Sequence, residues 1–263
     1  MSRAAEHDTL LRVENLSKRF GGVEAVAGVS FHVRRGEIYS LIGPNGAGKT
    51  TTFNMISGVV APSGGEVHFN GQAIAGMPAH RMAALGIGRT FQNLAVFKHA
   101  TVVQNLLVGR HCHMRSNVFD AAWFLGRARR EELEHRRKVE EIIDFLEIED
   151  IRDMPVGALS YGLQKRVELG RALATEPKLL LLDEMVSGMN TEETEDIARF
   201  VLDIRDELGI TVLMVEHDMG IVMDISDRIC VLNFGRKIAE GTPAEVAANP
   251  AVIDAYLGGA KAA

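Results

Sequence analysis

Cysteine and tryptophan are scarce in this sequence, which has two cysteines, Cys112 and Cys230, and one tryptophan among its 263 residues. Two cysteines cannot form the disulfide framework of a small secreted domain, so the sequence favours a reducing compartment. No apolar run approaches the roughly 18–20 residues that a membrane-spanning helix needs. The opening stretch MSRAAEHDT also lacks the apolar segment of a signal peptide. We therefore expect a cytosolic protein that is held at a membrane only through another chain.

An excess of positive charge is also missing. The 29 lysines and arginines stand against 35 aspartates and glutamates, which leaves a formal net charge of -6. A nucleic-acid-binding surface is thus not favoured, and no nucleic-acid partner is expected. Hydrophobic residues make up 46% and charged residues 24% of the chain, which is the balance of a globular protein with a sizeable core.

Short runs of alternating hydrophobic residues extend from Leu10 to Val33, and they predict a half-buried antiparallel sheet. Later apolar runs alternate with helical patterns, which is typical of a mostly parallel sheet covered by helices on both faces. The strands predicted for that sheet are Glu37–Gly43, Lys178–Asp183, Ile210–Glu216 and the late pair Arg228–Asn233 and Lys237–Glu240. The helices predicted beside it are Lys49–Ser57 and Asn190–Leu208.

The section from residue 94 to residue 160 has a different character. Thr101 and Gln104 have the spacing of a capping box that opens a helix. Arg127–Leu146 reads as a charged amphipathic helix with one apolar side, and its charge run is most simply a solvated face. We predict an α/β protein with one domain over residues 9–263, in which residues 94–160 form an inserted α-helical subdomain. Residues 1–8 are predicted to be a flexible tail.

The run GPNGAGKT fits the pattern G-x-x-x-x-G-K-[ST] in full, with a predicted strand before it and a predicted helix after it. The glycines allow successive backbone N–H groups to face inward and cradle phosphate oxygens. In this pattern Lys49 places a positive charge on the β- and γ-phosphates, and Thr50 offers a hydroxyl to Mg²⁺. The residues predicted to hold the phosphates are Gly43, Pro44, Asn45, Gly46, Ala47, Gly48, Lys49, Thr50 and Thr51.

The apolar run LLLL ends in two acids, Asp183 and Glu184. A buried strand can deliver a carboxylate to a site at its carboxyl end, where α/β sheets bind their ligands. Asp183 is predicted to hold Mg²⁺, and Glu184 to polarise the attacking water. Without the phosphate loop, the same pattern would also suit a strand that ends in ordinary solvated acids.

The stretch LSYGLQKR predicts a second anion site. Ser160 is a candidate N-cap, and Gly162 leaves the backbone open to close approach. The free N–H groups and positive dipole end of such a helix attract anions.

Three further residues carry weaker signals when each is considered alone. Gln92 lies between the body and the helical section and offers an amide oxygen to a metal, although an ordinary surface glutamine is the better interpretation of this residue alone. His217 follows an apolar strand and can bond a γ-phosphate, although such a histidine is more often structural. Phe20 can stack on a flat base, although such a phenylalanine is more often a core residue.

These motifs stand in the order found in the ATP-binding cassette (ABC) ATPases of membrane transporters, and the chain resembles that family over residues 10–257. The resemblance implies the ABC fold of the P-loop NTPases, with ATP and Mg²⁺ as cofactors and ATP hydrolysis as the activity. In that family the serine–glycine turn binds the γ-phosphate of ATP held by the phosphate loop of a second cassette. Two anion sites in one chain would then reflect two nucleotides shared by two chains.

The resemblance also implies individual roles. Phe20 would stack on adenine, Glu184 would be the catalytic carboxylate, and His217 would be the switch histidine. The residues implied for Mg²⁺ are Thr50, Gln92 and Asp183, and those implied to close over the partner's nucleotide are Ser160, Tyr161 and Gly162. The loop Ser187–Asn190 would touch the other cassette.

The chain departs from the family's pattern at two places. The usual signature is L-S-G-G-Q, but Tyr161 and Leu163 replace its third and fifth residues. Leu163 removes a side chain that would touch the ribose, which bears on affinity. Met185 stands where the family usually has proline, and it is expected to loosen the turn that aims Glu184.

The segments Ile87–His111, Glu216–Gly235 and Glu240–Gly258 resemble most closely the ATPases of bacterial branched-chain amino acid importers. ATPases for urea or short-amide import and for lipopolysaccharide export are similar, and a non-transport ABC ATPase is a more distant alternative. The segment Phe91–Phe97 would help to form the groove for the transporter's membrane subunits, unless its apolar residues belong to the subdomain core. The resemblance places the chain on the cytoplasmic face of the cell membrane.

Overall fold

The structure is a computed structural model, and it describes residues 8–91, 94–113 and 127–257. The predicted flexible tail therefore lies almost wholly outside the described residues, as does Gln92. No helix in the described parts of the chain is long and apolar enough to cross a membrane.

The alternating N-terminal pattern forms an antiparallel sheet, as predicted. Strand β1 (Thr9–Phe20) pairs with β2 (Val23–Arg34) on one side and with β4 (Gly64–Phe69) on the other. A short strand, β5 (Gln72–Ala73), completes the spatial order β2-β1-β4-β5. The two faces of this sheet differ because successive side chains of a strand point to opposite sides.

The central sheet has six strands in the order β10-β9-β3-β8-β7-β6. All pairs in it are parallel except β9–β10, which is antiparallel, as expected for the late strand pair. Its strands are β3 (Ile38–Ile42), β6 (Ile87–Arg89), β7 (Leu179–Asp183), β8 (Thr211–Val215), β9 (Arg228–Asn233) and β10 (Arg236–Gly241). The predicted combination of a mostly parallel core with a separate antiparallel part is confirmed.

Helices cover both faces of the central sheet. In chain order they are α1 (Lys49–Ile56), α2 (Ala79–Leu85), α3 (Val102–Gly109), α4 (Arg127–Phe145), α5 (Tyr161–Leu173), α6 (Thr191–Asp206), α7 (Met219–Ile225), α8 (Pro243–Ala247) and α9 (Pro250–Leu257). The capping box at Thr101 is present, because the Thr101 hydroxyl accepts from the Gln104 N–H and the Gln104 side chain accepts from the Thr101 N–H.

Strand alternation creates two hydrophobic cores, one on each side of the central sheet. In β7, Leu179 and Leu181 face the core shared with the antiparallel sheet, whereas Leu180 and Leu182 face the core shared with α3 to α7. The helical section joins this second core through α4, whose Phe145 ring lies 6.3 Å from Phe200 of α6. Helices α3 and α4 lie within residues 94–160, and the subdomain boundaries remain a prediction.

Two phenylalanines allow the contribution of this second core to be measured. Phe200 is 0% exposed, whereas Phe234 is 86% exposed in the turn between β9 and β10. We expect Phe200→Ala to lower the free energy of unfolding by about 3–5 kcal/mol, because it leaves a cavity where α4 meets α6. Phe234→Ala, the control, should change it by less than about 0.5 kcal/mol. Urea denaturation measures both, and equal effects would contradict this account of the core.

Candidate functional site

The site forms where three neighbouring parallel strands end. Strand β8 pairs with β3 on one side and with β7 on the other, so the loops after all three strands meet at one edge of the sheet. The loop after β3 begins at Gly43, the loop after β7 begins at Glu184, and the loop after β8 begins at Glu216. Ligands of open α/β sheets bind at this edge.

The loop after β3 requires glycine at two positions. At Gly43 an added Cβ would lie 2.1 Å from the Leu232 carbonyl oxygen. At Gly48, which caps α1 with φ of 97°, an added Cβ would lie 2.6 Å from the Ala25 carbonyl oxygen. Glycine at both positions leaves room for the backbone to fold back tightly. The loop can then present its N–H groups to phosphate oxygens.

Lys49 is buried and points back across this loop. Its Nζ atom donates to the Gly43 carbonyl at 2.7 Å and to the Pro44 carbonyl at 3.1 Å. Burial lowers the pKa of Lys49, and the nearby Glu184 carboxylate opposes that shift. The ammonium group therefore lies inside the loop, at the place where bound phosphate oxygens would need a positive charge.

A cleft of about 400 Å³ brings the predicted groups together. Its walls are Asn45–Thr51 of the loop, Ala25 of β2, Glu184 and His217. The catalytic residues inferred from the sequence thus face the residues inferred to hold phosphates, although more than 130 residues separate them along the chain. Ala25 is a wall that the sequence did not indicate.

Glu184 and His217 contact each other directly at the edge of this cleft. The distance from His217 Nε2 to Glu184 Oε1 is 2.7 Å. Glu184 has φ of 50°, an uncommon backbone conformation for a residue with a side chain. Its N–H donates to the Val215 carbonyl at 2.9 Å, which anchors the turn after β7 to β8.

Asp183 is buried at the end of β7, and one of its two carboxylate oxygens has a hydrogen-bond partner among the described residues. The Arg89 guanidinium donates to its Oδ2 atom at 2.9 Å, whereas its Oδ1 atom is buried without a hydrogen-bond partner among the described residues. Burial raises the pKa of Asp183, and Arg89 opposes the shift. An unmatched buried carboxylate oxygen is the kind of ligand that Mg²⁺ takes, so the group fits the metal that the sequence implies.

Arg89 was not indicated by the sequence. It also donates to the Asn54 side chain at 2.8 Å and to the Ser57 hydroxyl, so it joins α1, β6 and β7.

Glu216, like Arg89, is a residue of this site that the sequence analysis missed. It directly follows β8, next to Val215, which pairs with Asp183 at the end of β7. Its Oε1 atom accepts from the Val186 N–H at 3.3 Å, and burial raises its pKa to about 7. The signal that could have revealed it is the acid that closes the apolar run TVLMVE.

The stretch LSYGLQKR caps α5 as predicted, because the Ser160 hydroxyl accepts from the Leu163 N–H at 3.3 Å. A Cβ at Gly162 would lie 2.3 Å from Glu193 Oε1, so the close neighbour of this glycine is a residue of the same chain. Ser160, Tyr161 and Gly162 are not among the residues that line the phosphate cleft. One chain therefore does not bring its two candidate anion sites together.

Helix α5 contacts the backbone at the start of the helical section, around residues 91 and 95. The Glu168 carboxylate accepts from the Phe91 N–H at 3.1 Å and from the Ala95 N–H at 3.3 Å, and Arg171 donates to the Ala95 carbonyl. The buried Lys165 ammonium lies 3.6 Å from Glu168. Gln92, which lies between the two N–H donors in the sequence, is outside the described residues.

The remaining sequence predictions concern aromatic residues at the surface. Phe91 and Phe97 are exposed, Phe97 at 56%, and Phe91 borders an apolar cavity of about 300 Å³ together with Val59 and Val108. Phe20 is exposed at the end of β1, with Lys18 Nζ 5.0 Å from its ring, and it does not line the phosphate cleft. Its role in adenine binding stays a prediction.

Two sequence profiles of known families match this chain. The profile named ABC transporter matches residues 26–187. The profile named branched-chain amino acid ATP-binding cassette transporter matches residues 236–262.

Individual proteins match over nearly the whole chain. BraF of Pseudomonas aeruginosa, a high-affinity branched-chain amino acid transport ATP-binding protein, is 42% identical over 95% of this chain and 98% of that protein. LivG of Escherichia coli, with the same description, is 39% identical with the same coverage. A solved structure described as the ADP conformation of MJ1267, an ATP-binding cassette of an ABC transporter, has a TM-score of 0.83. It is 35% identical and covers 95% of this chain and 99% of that one.

The tight approach at Gly48 gives a direct test of the loop geometry. Gly46 has φ of 79° and open space around it, whereas Gly48 faces the Ala25 carbonyl. We expect Gly46→Ala to lower the free energy of unfolding by about 1–2 kcal/mol from backbone strain alone. Gly48→Ala should cost about 1–3 kcal/mol more because the methyl group also collides with backbone. Urea denaturation without nucleotide compares the two, and a smaller effect at Gly48 would contradict the geometry.

Proposed function

Because this chain belongs to the ABC transporter family of ATP-binding cassettes, which hydrolyse ATP, we propose that it is the ATPase subunit of a branched-chain amino acid importer. The single observation that carries this proposal is the cleft in which the Lys49 loop faces the Glu184–His217 pair. The names of the relatives and the match of residues 236–262 support the choice of cargo. Membrane subunits would hold the chain on the cytoplasmic face of the membrane.

ATP would bind with its phosphates in the loop from Gly43 to Thr51. Lys49 would exchange its carbonyl partners for phosphate oxygens, and the backbone N–H groups would complete the cradle. Mg²⁺ would be held by the Thr50 hydroxyl, the Asp183 carboxylate and Gln92, and it supplies positive charge that stabilises the transferring phosphoryl group. Phe20 would stack on the adenine.

Glu184 and His217 would carry out the chemical step. An ionised Glu184 accepts the bond from His217, so His217 is then protonated at Nε2 and fixes the direction of the carboxylate. A water molecule beside Glu184 gives its proton to that carboxylate as its oxygen bonds to the γ-phosphorus. The bond between the γ-phosphorus and the bridging oxygen breaks, and ADP leaves with that oxygen.

The second anion site requires a second cassette, which is the same chain or a related one. Ser160, Tyr161 and Gly162 lie outside the phosphate cleft of their own chain, yet Ser160 caps a helix whose positive end can meet an anion. These residues would close over the nucleotide held by the partner. Two shared nucleotides would draw the cassettes together, and hydrolysis would release them as a ligand-biased two-state switch.

The membrane subunits would contact the groove near Phe91–Phe97. Exposed Phe91 and Phe97 and the apolar cavity beside Phe91 form the kind of surface that marks a protein–protein site. The bonds from Glu168 and Arg171 to this segment support a path from the groove to the helix that carries Ser160.

Glu184→Gln tests the catalytic carboxylate. The amide keeps the shape of the side chain but cannot take a proton, so we expect ATP turnover to fall by about 10²–10⁴-fold. Nucleotide binding should persist, and sizing chromatography with MgATP should show a dimer. Glu192→Gln, an exposed acid in the first turn of α6, is the matched control and should hydrolyse ATP at the normal rate. Normal turnover by Glu184→Gln would show that another group activates the water.

A mixing experiment tests whether two chains share each site. Lys49→Ala should lose ATP binding, Ser160→Arg should still bind ATP, and neither should hydrolyse it alone. An equimolar mixture should recover about a quarter of the wild-type activity, because about half of random dimers are mixed and each mixed dimer has one intact site. Phosphate release measures the recovery. A mixture that stays inactive while the wild type is active would contradict sites that are shared between two chains and work independently.

A further inference from the structure

Glu216 occupies a position that the proposed chemistry does not use. The residue is 4% exposed. It directly follows β8, the strand that lies between β3 and β7. A carboxylate this deeply buried is costly unless hydrogen bonds satisfy it. Its partners therefore indicate what it does.

The partners of Glu216 are backbone N–H groups on both sides of the catalytic pair. Val186 donates to its Oε1 atom at 3.3 Å, and the N–H groups of Met185 and His217 lie close enough to this carboxylate to lower its pKa. Met185 directly follows Glu184, and His217 is its 2.7 Å partner. One carboxylate thus binds the turn that follows Glu184 and lies beside the backbone N–H of His217.

Met185 gives this arrangement a feature particular to the chain. The family usually has proline after the catalytic acid, and proline has no N–H to donate. Proline also restricts the residue before it to extended backbone, whereas Glu184 has the left-handed φ of 50°. Methionine therefore keeps an N–H group that proline lacks, and this group lies beside the Glu216 carboxylate. The expectation that Met185 loosens the turn stays a prediction.

We propose that Glu216 is a positioning residue that holds Glu184 and His217 in their mutual orientation through the N–H groups of Met185, Val186 and His217. The inference rests on the proposed ATPase function. It assigns no chemical step to Glu216, which acts only through the backbone of the two residues that meet the substrate. It also gives Met185 a specific contribution, which is its backbone N–H group.

The opposing influences on the carboxyl group are consistent with this role. Burial raises the pKa of Glu216, and the backbone N–H groups of Val186, Met185 and His217 oppose that rise, while the neighbouring Glu184 carboxylate adds to it. The three N–H groups thus stabilise the ionised form against burial and against a like charge. Loss of one of these N–H groups would destabilise the ionised Glu216 carboxylate. The contacts that align Glu184 with His217 would then loosen.

The first test compares Glu216→Leu with Glu216→Gln by steady-state ATPase kinetics and by binding of a fluorescent ATP analogue. Leucine accepts no hydrogen bond, so we expect kcat to fall by about 10–100-fold through misorientation of Glu184. The amide oxygen of glutamine still accepts, so kcat should stay within about threefold of the wild type. Analogue binding should change little in either variant, because the phosphate loop is intact. A structural role alone would lower binding and kcat together in both variants.

The second test uses Met185→Pro, with Met185→Leu as the reference that retains the N–H group. We expect a lower kcat for the proline variant than for the leucine variant, by about threefold or more. In the Glu216→Leu background the two substitutions should no longer differ, because the acceptor is gone and the effects are not additive. If Glu216→Leu does not fold, Glu216→Ala, which also accepts no hydrogen bond, serves as the background for the same comparison.

Equal kcat for Met185→Pro and Met185→Leu would overturn the inference, as would normal kcat for Glu216→Leu. The wild-type chain separates this inference from the proposed function. A wild type that hydrolyses no ATP, alone or with membrane subunits, contradicts the function. An active wild type with unaffected Glu216 and Met185 variants contradicts only the positioning role.

Discussion

The parallel pairing of β3, β8 and β7 is the constraint on which the site depends, because it brings three strand ends to one edge of the sheet. Strand β8 lies in the middle, so Glu216 and His217, which follow it, sit between the phosphate loop and the turn of Glu184. A shift of one residue in any strand would send its side chains to the opposite face. The packing of Leu180 on one side and Leu181 on the other therefore also fixes where the functional groups point.

The buried charged groups around this edge of the sheet differ in how many hydrogen-bond partners they have. Lys49 has two carbonyl partners, and Glu216 accepts from the Val186 N–H with the N–H groups of Met185 and His217 beside it. Asp183 keeps one oxygen without a partner among the described residues, although Arg89 binds the other. Because an unmatched buried charge is costly, these partners stabilise Lys49 before a phosphate arrives and hold Glu216 in place as a support. The oxygen left over marks the place where a cation would bind.

The sequence predicted elements that carry long periodic patterns and motifs that lie within one segment. The phosphate loop, the Ser160 cap and the strands ending at Asp183 and Val215 belong to this class. It did not predict β6, which has three residues and therefore too short a pattern. It also missed Arg89 and Glu216, because their roles come from partners that are distant in the chain or bonded through backbone. The role of Gln92 stays a prediction, since it lies outside the described residues.

Helix α5 gives a physical reason why, in the proposed function, the segment that would meet the membrane subunits would be coupled to the nucleotide of a partner cassette. It has 13 residues and is thus about 20 Å long, with Ser160 at its start. Two turns later, Glu168 and Arg171 bind the backbone of Phe91 and Ala95. Lys165 and Glu168 are fully buried between these ends, and close-packed interiors transmit strain because they have little free volume. A displacement of the 91–97 segment must therefore carry Ser160 with it or break bonds to a buried carboxylate.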